Sequence, residues 1–457
     1  MPKRNVLIIT VVLLLCLICY SKIPHNQYVR VYQRAAAMLD ARYVEEIDQQ
    51  QLFQGAMNGM MATLDEHSVY MAPLEYQGLD EVLNQEFGGL GIYIERIEDT
   101  NEIRIVTPAL NSPALKVGIQ AGDVIVQIDG RRSADLTVAE SQKMMKGPPG
   151  EMVNLMIRRT GEDALVPFSV TRELVQLLSV LGYDRKEDGH WKYRLPQENQ
   201  GMVYLQSTDF AAHSAEEIAS ILKEEKAANG YRGIILDLRG NGGGLLSTAV
   251  ALCDLFIDQQ KIVDVRFRNS QQNKSFFGTV EATLDATTPM VVLIDRLSAS
   301  ASEIAAACLQ DSGRAVVIGE RSYGKGSVQD VEVLEAGDED HAIKFTIAHF
   351  LRPNGKNIHR RKPLDQANPE DAWGVKPTQG YEVILNDEEL EAYQQDKLRR
   401  FIIHPRESPS ISEQQDQAPT TVEFGNENPP PYLDPQLRKA VEYLKQRNFS
   451  PNAGDSN

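Results

Sequence analysis

The sequence predicts a multidomain α/β protein with a helical region near its N-terminus. Apolar residues recur at helical spacing from Tyr28 to about Asn84. Short strands and turns dominate residues 85–172, and strands alternate with helices over residues 173–404. The chain has 457 residues and is 42% apolar, so it is long enough to form several packed cores.

The changes of pattern divide the chain into six segments. They are an apolar N-terminal segment, a helical region, a strand-rich domain, an alternating α/β core, a flexible linker and a C-terminal helix with its tail. Their boundaries are 1–22, 23–84, 85–172, 173–404, 405–432 and 433–457. The linker is rich in Pro, Ser, Gln and Glu, a composition that does not support a packed core.

Residues 1–22 have the composition of an export signal. Lys3 and Arg4 precede an apolar run from Val6 to Tyr20. The run is short for a spanning helix, yet no small-residue cleavage site follows it. We therefore expect an uncleaved signal anchor that crosses the cell membrane once and leaves the body on the extracytoplasmic, periplasmic side. Secretion after signal cleavage is the alternative.

The bulk composition argues against several classes of function. The net charge is −17 and no basic patch with interleaved aromatic residues is present, so nucleic acid is not an expected partner. Of the four cysteines, Cys16 and Cys19 lie in the N-terminal apolar run, while Cys253 and Cys308 fall in apolar helical patterns. They form neither a disulfide framework nor a metal-ligand pattern, and we expect no metal and no cofactor.

The strand-rich domain begins with a glycine loop. Gly88-Gly-Leu-Gly-Ile-Tyr-Ile94 leads into a strand, Ser112–Gly118 is a helical turn, and Gly122–Gly130 is a strand that ends in a turn. An amphipathic helix over Leu136–Lys146 and two further strands follow. This order of elements resembles a PDZ domain.

The PDZ resemblance implies a peptide-binding site. Loop amides would hold a peptide's terminal carboxylate while the peptide adds a strand to the edge of the sheet. The corresponding residues here are Gly89, Leu90, Gly91 and Ile92. Side chains of the neighbouring helix would form an apolar wall, unless they pack in the domain core instead; these are Leu136, Ala139 and Met144.

Two loops of the α/β core carry the candidate catalytic residues. The apolar strand Met290–Ile294 is followed by the sequence LSASASE, and a helix is predicted from about Ser302. Ser300 therefore lies where a strand gives way to a helix, beside amides that favour negative charge. Lys325 follows the next strand between two glycines. A serine and a lysine so placed are typical of a Ser–Lys nucleophile pair, provided that burial favours the neutral lysine.

A glycine-rich turn precedes both loops. The strand Gly233–Leu238 leads into Arg239-Gly-Asn-Gly-Gly-Gly244, and a helix follows to about Phe256. Such a turn offers free amides and a close approach of backbone. On the residues alone, half of an oxyanion hole and a tight structural turn are equally good interpretations.

The glycine turn, SASASE and GKGSVQ, together with the PDZ-like domain and the export signal, resemble the carboxyl-terminal processing peptidases. This exported serine-protease family is peptidase family S41, and the resemblance covers roughly residues 28–380. It implies a crotonase- and ClpP-like α/β protease core with an inserted PDZ domain. It also implies an endopeptidase that cleaves exported proteins near their C-termini after the PDZ domain has bound them.

The family resemblance also implies a role for individual residues. Ser300 would be the nucleophile, Lys325 the general base, and Gln329 the residue that orients the lysine. Ala301 and a glycine of the turn, Gly243, would supply the two oxyanion amides. Partners would be protein or peptide substrates and, through the N-terminal segment, the membrane; self-association into a homo-oligomer is left open.

Two positions depart from the family pattern. Gly242 stands where proline is common, which leaves open which glycine of the turn donates its amide. Lys146-Gly147 stands where Arg-Gly is usual. Because lysine lacks the planar fork of arginine, coupling of peptide binding to activation is left open as well.

Other interpretations of the sequence are weaker. A catalytically silent, membrane-tethered PDZ protein would have no reason to retain Ser300, Lys325 and Gln329, and an acyl-transfer enzyme would need a coenzyme-binding signature. The run Gly319–Lys325 nearly matches a phosphate-binding loop, but Gly326 replaces the Ser or Thr that would hold magnesium. Asp311-Ser-Gly313 matches the short aspartic-protease signature but lies where a helix must end.

Overall fold

The computed structural model describes residues 26–403 and 434–449, apart from 163, 197–198, 200, 281–283, 337–338 and 361–372, together with a few positions between 4 and 14. Most of the predicted export signal therefore lies outside the described residues, and so does the predicted linker 405–432. Within the described ranges no helix is long and apolar enough to cross a membrane. Two compact units are present, residues 1–72 with 331–345 and residues 73–330 with 346–457.

The described residues 26–72 of the first unit form two helices and a short strand. They are α1 (Gln27–Arg42), α2 (Gln49–Met61) and β1 (Val69–Met71). Strand β1 pairs antiparallel with residues 342–344. Tyr70 on β1 shares a hydrogen bond of 2.5 Å with His341 Nδ1, and both side chains are buried. The predicted helical region is confirmed except at this strand, whose pairing partner is distant in sequence.

In the second unit, a helix α3 (Pro73–Asn84) precedes the PDZ domain. The helices and strands of that domain are β2 (Glu86–Gly89), β3 (Ile92–Arg96), β4 (Ile103–Pro108), α4 (Pro113–Lys116), β5 (Val124–Ile128), β6 (Arg131–Arg132), α5 (Val138–Met145), β7 (Met152–Arg158), β8 (Leu165–Thr171) and β9 (Glu173–Gln176). Five strands form a sheet in the order β3-β4-β5-β7-β8, with β6 beside β5, and β2 pairs with β9. Strand β3 is thus an edge strand of the sheet.

The α/β core is built on four parallel strands. They are β13 (Met202–Ser207), β14 (Gly233–Asp237), β17 (Met290–Ile294) and β18 (Ala315–Gly319), with a short antiparallel strand β10 (Val180–Leu181) beside β13. Every residue of β14 and β17 is buried, as expected for parallel strands covered on both faces.

Helices cover the two faces of this sheet. On one face, α6 (Ser214–Asn229), α7 (Leu246–Asp254) and α8 (Ala301–Asp311) enclose a large apolar cluster. On the other face, Leu437 and Leu444 of α10 (Pro435–Phe449) pack in a second cluster. The remaining elements are β11 (Asp184–Arg185), β12 (Trp191–Lys192), β15 (Lys261–Phe267), β16 (Lys274–Phe277), β19 (Ser327–Ala336), β20 (Glu339–Leu351) and α9 (Asp387–Phe401).

The sheet positions the candidate site. Strands β14 and β17 are parallel neighbours in which Asp237 is paired with Leu293. Because the carboxyl ends of parallel strands meet at one edge, the glycine turn (Arg239–Gly244) and the serine loop (Leu297–Ser300) lie next to each other.

Candidate active site

Ser300 directly precedes α8 and has a strained backbone. Its φ of 56° and ψ of −114° lie outside the regions that residues with side chains ordinarily adopt. Such strain persists only where the surroundings enforce it, and it is concentrated at functional sites. The backbone N–H of Ser300 donates to Oε2 of Glu303 at 2.9 Å. The serine is therefore held at the strand–helix junction that its sequence context predicts.

Glu303 is the buried acceptor around which this site is built. Its side chain is fully buried, and its Oε1 accepts from the Ser322 hydroxyl at 2.5 Å and from the Gly324 N–H at 2.7 Å. Its Oε2 accepts from Ser300 and also from the Lys325 N–H at 2.7 Å. Burial raises the pKa of Glu303, and these four hydrogen bonds oppose the rise.

Lys325 is brought to the serine by the same carboxylate. One oxygen atom, Glu303 Oε2, receives the backbone N–H of both Ser300 and Lys325. The lysine loop (Ser322–Gly326) is therefore fixed against the start of α8, and the Lys325 side chain is partly buried. The Lys325 side chain is a flexible four-carbon stem that ends in an ammonium group.

The glycine turn packs directly on the serine. Gly243 has a φ of 110°, and a Cβ placed there would lie 2.8 Å from Ser300 Cβ and 3.0 Å from Ala301 N. Only glycine fits this position. The buried Asn241 joins the two loops, because its carbonyl accepts from the Ala299 N–H at 3.0 Å and from the Ser302 hydroxyl at 2.9 Å.

The two predicted oxyanion amides differ in availability. Among the described residues, the Ala301 N–H donates to no protein group, as expected at the start of a helix. The Gly243 N–H donates to Oδ1 of Asn241 at 2.8 Å. The neighbouring Gly242 is exposed, and its N–H has no protein acceptor in the described part of the chain. Gly243 therefore lies where the sequence places it but has its donor engaged.

Arg239, the first residue of the glycine turn, is held by buried ion pairs. Its guanidinium pairs with Asp237 at 2.6 Å and with Asp434 at 2.8 Å, and all three side chains are buried. Tyr204 donates to Asp237 at 2.6 Å, and the guanidinium lies 4.3 Å from the ring centre of Tyr393. Burial would raise the pKa of Asp237, but Arg239 overrides it and lowers that pKa. The C-terminal segment is thereby attached to the turn.

Gln329 lies on β19, directly after the lysine loop. Its amide nitrogen donates to the Ser327 hydroxyl at 2.8 Å and to the Thr346 hydroxyl at 3.3 Å. These contacts hold the side chain in place. A role in orienting Lys325 stays a prediction.

Comparison with known proteins decides the family. Residues 201–377 match peptidase family S41, residues 88–170 match a PDZ domain, and residues 22–73 match the N-terminal domain of the activating protease CtpB. A carboxy-terminal-processing protease of Bartonella bacilliformis is 34% identical over 355 residues, which cover 77% of this chain and 77% of the relative. The chain belongs to the carboxy-terminal processing protease family.

Other relatives agree. The carboxy-terminal processing protease CtpB of Bacillus subtilis is 31% identical and covers 78% of this chain and 72% of its own. The Synechocystis carboxyl-terminal-processing protease is 34% identical over 67% of this chain and 68% of its own. A solved photosystem II D1 C-terminal processing protease is 25% identical over 82% of this chain and 90% of that chain, with a TM-score of 0.41. The family models and the sequence relatives confirm the family, the α/β fold class with its PDZ domain, and the assignment as a serine-type peptidase.

The predicted carboxylate loop of the PDZ domain, Gly89–Ile92, adjoins the edge strand β3. The Leu90 and Gly91 carbonyls accept from the Ala114 and Ala109 amides. Gly91 has a φ of 69°, and a Cβ there would lie 2.4 Å from Ser112 Cβ. The three residues predicted to form the apolar wall differ in their exposure. Leu136 is buried in the domain core, Ala139 is exposed, and Met144 is partly buried.

Lys146, which replaces the arginine common in this protease family, has a defined partner. Its ammonium pairs with Glu81 on α3 and lies 5.2 Å from the ring centre of Phe87. The lysine thus connects the end of α5 to the helix that precedes the PDZ domain.

Several residues of the candidate site were missed by the sequence-based predictions. Glu303 could have been identified from the sequence, because Ser300-x-x-Glu303 has the spacing of a helix capping box. Asn241 and the pairing of Arg239 with Asp434 had no local signal. No group of three or more His, Cys, Asp or Glu side chains is placed to hold a metal in the part of the protease that the structure describes.

Proposed function

We propose that this protease is an exported endopeptidase that cleaves proteins near their C-termini, with Ser300 as nucleophile and Lys325 as general base. The observation that supports it most directly is the single Glu303 oxygen that accepts from the backbone of both residues. A nucleophile and its base on two separate loops must be held at a fixed distance and orientation. The buried Glu303 carboxylate, both of whose oxygens accept hydrogen bonds from these loops, can hold them so.

The proposed reaction begins with a proton transfer. Neutral Lys325 takes the proton from the Ser300 hydroxyl as the oxygen attacks the scissile carbonyl. Substrate that covers the lysine loop excludes water and favours the neutral amine. Protonated Lys325 then gives the proton to the departing amine, and water hydrolyses the acyl-enzyme by the same base. Gln329, held by Ser327 and Thr346, would limit the orientations open to the lysine.

The oxyanion would be stabilised by two backbone amides. The Ala301 N–H is available at the start of α8, where the helix dipole adds to its effect. The second donor is Gly243, once its N–H has turned away from Asn241, with the unengaged Gly242 N–H beside it. Removal of one such donor costs roughly 3 kcal/mol in comparable enzymes.

Substrate recognition would use the PDZ domain. The edge strand β3 can accept an added peptide strand, and the loop from Gly89 to Ile92 lies where the terminal carboxylate would bind. Export and attachment to the membrane would be provided by residues 1–22, whose charge and apolar pattern support them.

The test is to incubate the protease with exported proteins and map new C-termini by mass spectrometry. Wild-type protein should generate new C-termini near the ends of its substrates, and Ser300→Ala and Lys325→Ala should generate none while keeping the wild-type melting temperature. Cleavage by either variant at the wild-type rate would contradict the assignment of Ser300 as nucleophile and Lys325 as general base. A wild-type protein that binds peptides without cleaving them would favour the silent PDZ alternative.

A further inference from the structure

A cavity of about 290 Å³ lies beneath α9, beside the strands β10, β12 and β13. Its walls are mainly apolar. They include Leu181, Trp191, Leu398 and Phe401, and the first two of these are buried. The volume is at the lower end of the range for small-molecule sites. The cavity therefore suits a ligand with a short apolar body.

Gln206 and Lys397 line this cavity without a hydrogen-bond acceptor among the described residues. Gln206 is 2% exposed, and its Nε2 is buried with no hydrogen-bond acceptor in the described part of the chain. A buried amide that donates to nothing is costly, and such groups usually indicate an absent acceptor. Lys397 makes no hydrogen bond or ion pair within the described ranges. Burial lowers the pKa of Lys397, so an anion beside it would relieve the cost of its charge.

Acidic residues lie around Lys397, but none of them forms an ion pair with it in the described part of the chain. Arg400, which also lines the cavity, pairs with Asp396 at 2.9 Å, and Arg399 takes the other oxygen of the same carboxylate at 2.9 Å. Asp237, the nearest buried acid along β14, is already paired with Arg239. Asp209 and Asp295 also act on Lys397 electrostatically, so its charge is partly balanced, but its ammonium has no direct anionic contact among the described residues.

The helix above the cavity connects two functional regions. At its end, the Phe401 ring meets the Tyr93 ring of the PDZ domain with centres 4.8 Å apart. In its middle, the Tyr393 ring packs against the guanidinium of Arg239. A Cβ placed on Gly240 would lie 3.8 Å from Lys397 Nζ. A ligand bound beneath α9 would thus contact the helix that touches both the PDZ domain and the glycine turn.

We propose that this cavity binds a small apolar carboxylate, with its anionic group between Gln206 Nε2 and Lys397 Nζ and its apolar body against Trp191 and Leu181. A branched aliphatic acid has this chemistry, and so does the C-terminal residue of a short peptide. The site is separate from the PDZ carboxylate loop, and it does not depend on the proposed catalytic mechanism.

The experiment uses Trp191 as a reporter. The chain contains two tryptophans, so the full-length protease carrying Trp373→Phe retains Trp191 alone. Titration with 4-methylpentanoate should change the Trp191 fluorescence with saturation, and 4-methylpentanamide should bind at least tenfold more weakly because it carries no charge. Equal binding of acid and amide, or no binding of either, would overturn the proposal.

Variants then assign the donors. Lys397→Met should remove the preference for acid over amide, and Gln206→Leu should weaken binding of the acid severalfold, whereas Lys223→Met, at an exposed helical position, should change neither. A preference for the acid that persists in Lys397→Met would contradict the assigned site. A Leu-terminated tripeptide in competition with 4-methylpentanoate distinguishes the two sources of the ligand: displacement identifies a peptide C-terminus, and its absence identifies a free acid.

Discussion

The proposed active-site loops and the proposed peptide-binding edge of the PDZ domain are built in opposite ways. Around Ser300, buried polar groups such as Glu303 and Asn241 have their hydrogen-bonding capacity used by three separate loops. Along β3, alternate side chains are exposed and one edge of the strand has no partner strand in the described sheet. Chemistry needs atoms held in fixed positions, whereas recognition of an extended peptide needs backbone groups left open.

This comparison predicts different penalties for the loss of a charged partner in each region. Asp434→Ala removes one of the two carboxylates that hold buried Arg239, and it should lower the free energy of unfolding by roughly 3 kcal/mol. Glu95→Ala breaks the exposed pair with Arg104 in the PDZ domain and should cost less than about 1 kcal/mol. Urea unfolding of both variants measures the two values, and equal losses would contradict the comparison.

Glu303→Gln tests whether the buried acceptor serves catalysis. The amide that replaces one oxygen would face backbone N–H donors, so at least one of them would lose its acceptor. An unsatisfied buried donor costs about 1–3 kcal/mol, and we expect kcat/KM to fall by roughly a hundredfold through kcat. Glu389→Gln is the matched control, since Glu389 caps α9 in the same way outside the site. A change in KM alone would contradict a positioning role.

Peptide binding at the open edge of β3 should depend on the backbone conformation of the loop from Gly89 to Ile92. Gly91→Ala would place a Cβ against Ser112, and we expect roughly tenfold weaker binding of C-terminal peptides with little change in kcat. Gly118→Ala shares the positive φ but has open space around it. Peptide titration of both variants separates the effect of the Cβ clash with Ser112, present only at position 91, from the effect of backbone strain, present at both positions. Equal binding by the two would indicate that the loop does not form the carboxylate site.

The smallest expected effect is on the pH dependence of stability. Burial raises the pKa of Glu303 in the folded protein above its ordinary value of 4.5. The folded state therefore keeps a proton that the unfolded chain has released, and this contribution to stability is lost as pH rises through the folded pKa. The stability of wild type relative to Glu303→Gln should thus decrease with rising pH. An increase would mean that the hydrogen bonds outweigh burial.

The sequence predicted the elements that local pattern controls. The strand–helix junction at Ser300, the glycine turn and the PDZ order of elements all follow from periodicity and small residues. Pairings between distant segments could not be predicted. Arg239 and Asp434 are 195 positions apart, and β1 became a strand only because it pairs with residues near 343. The engagement of the Gly243 amide by Asn241 depends on a side-chain conformation that no pattern encodes.

The central claim is that Lys325 activates Ser300 across two loops joined by Glu303. Its most direct test is the rate at which a fluorophosphonate probe labels Ser300 in wild type and in Lys325→Met, with equal melting temperatures as the condition for comparison. General-base catalysis is worth roughly 10²–10⁴-fold, so we predict labelling of the variant to be at least a hundredfold slower. Labelling of Lys325→Met at the wild-type rate would contradict the account.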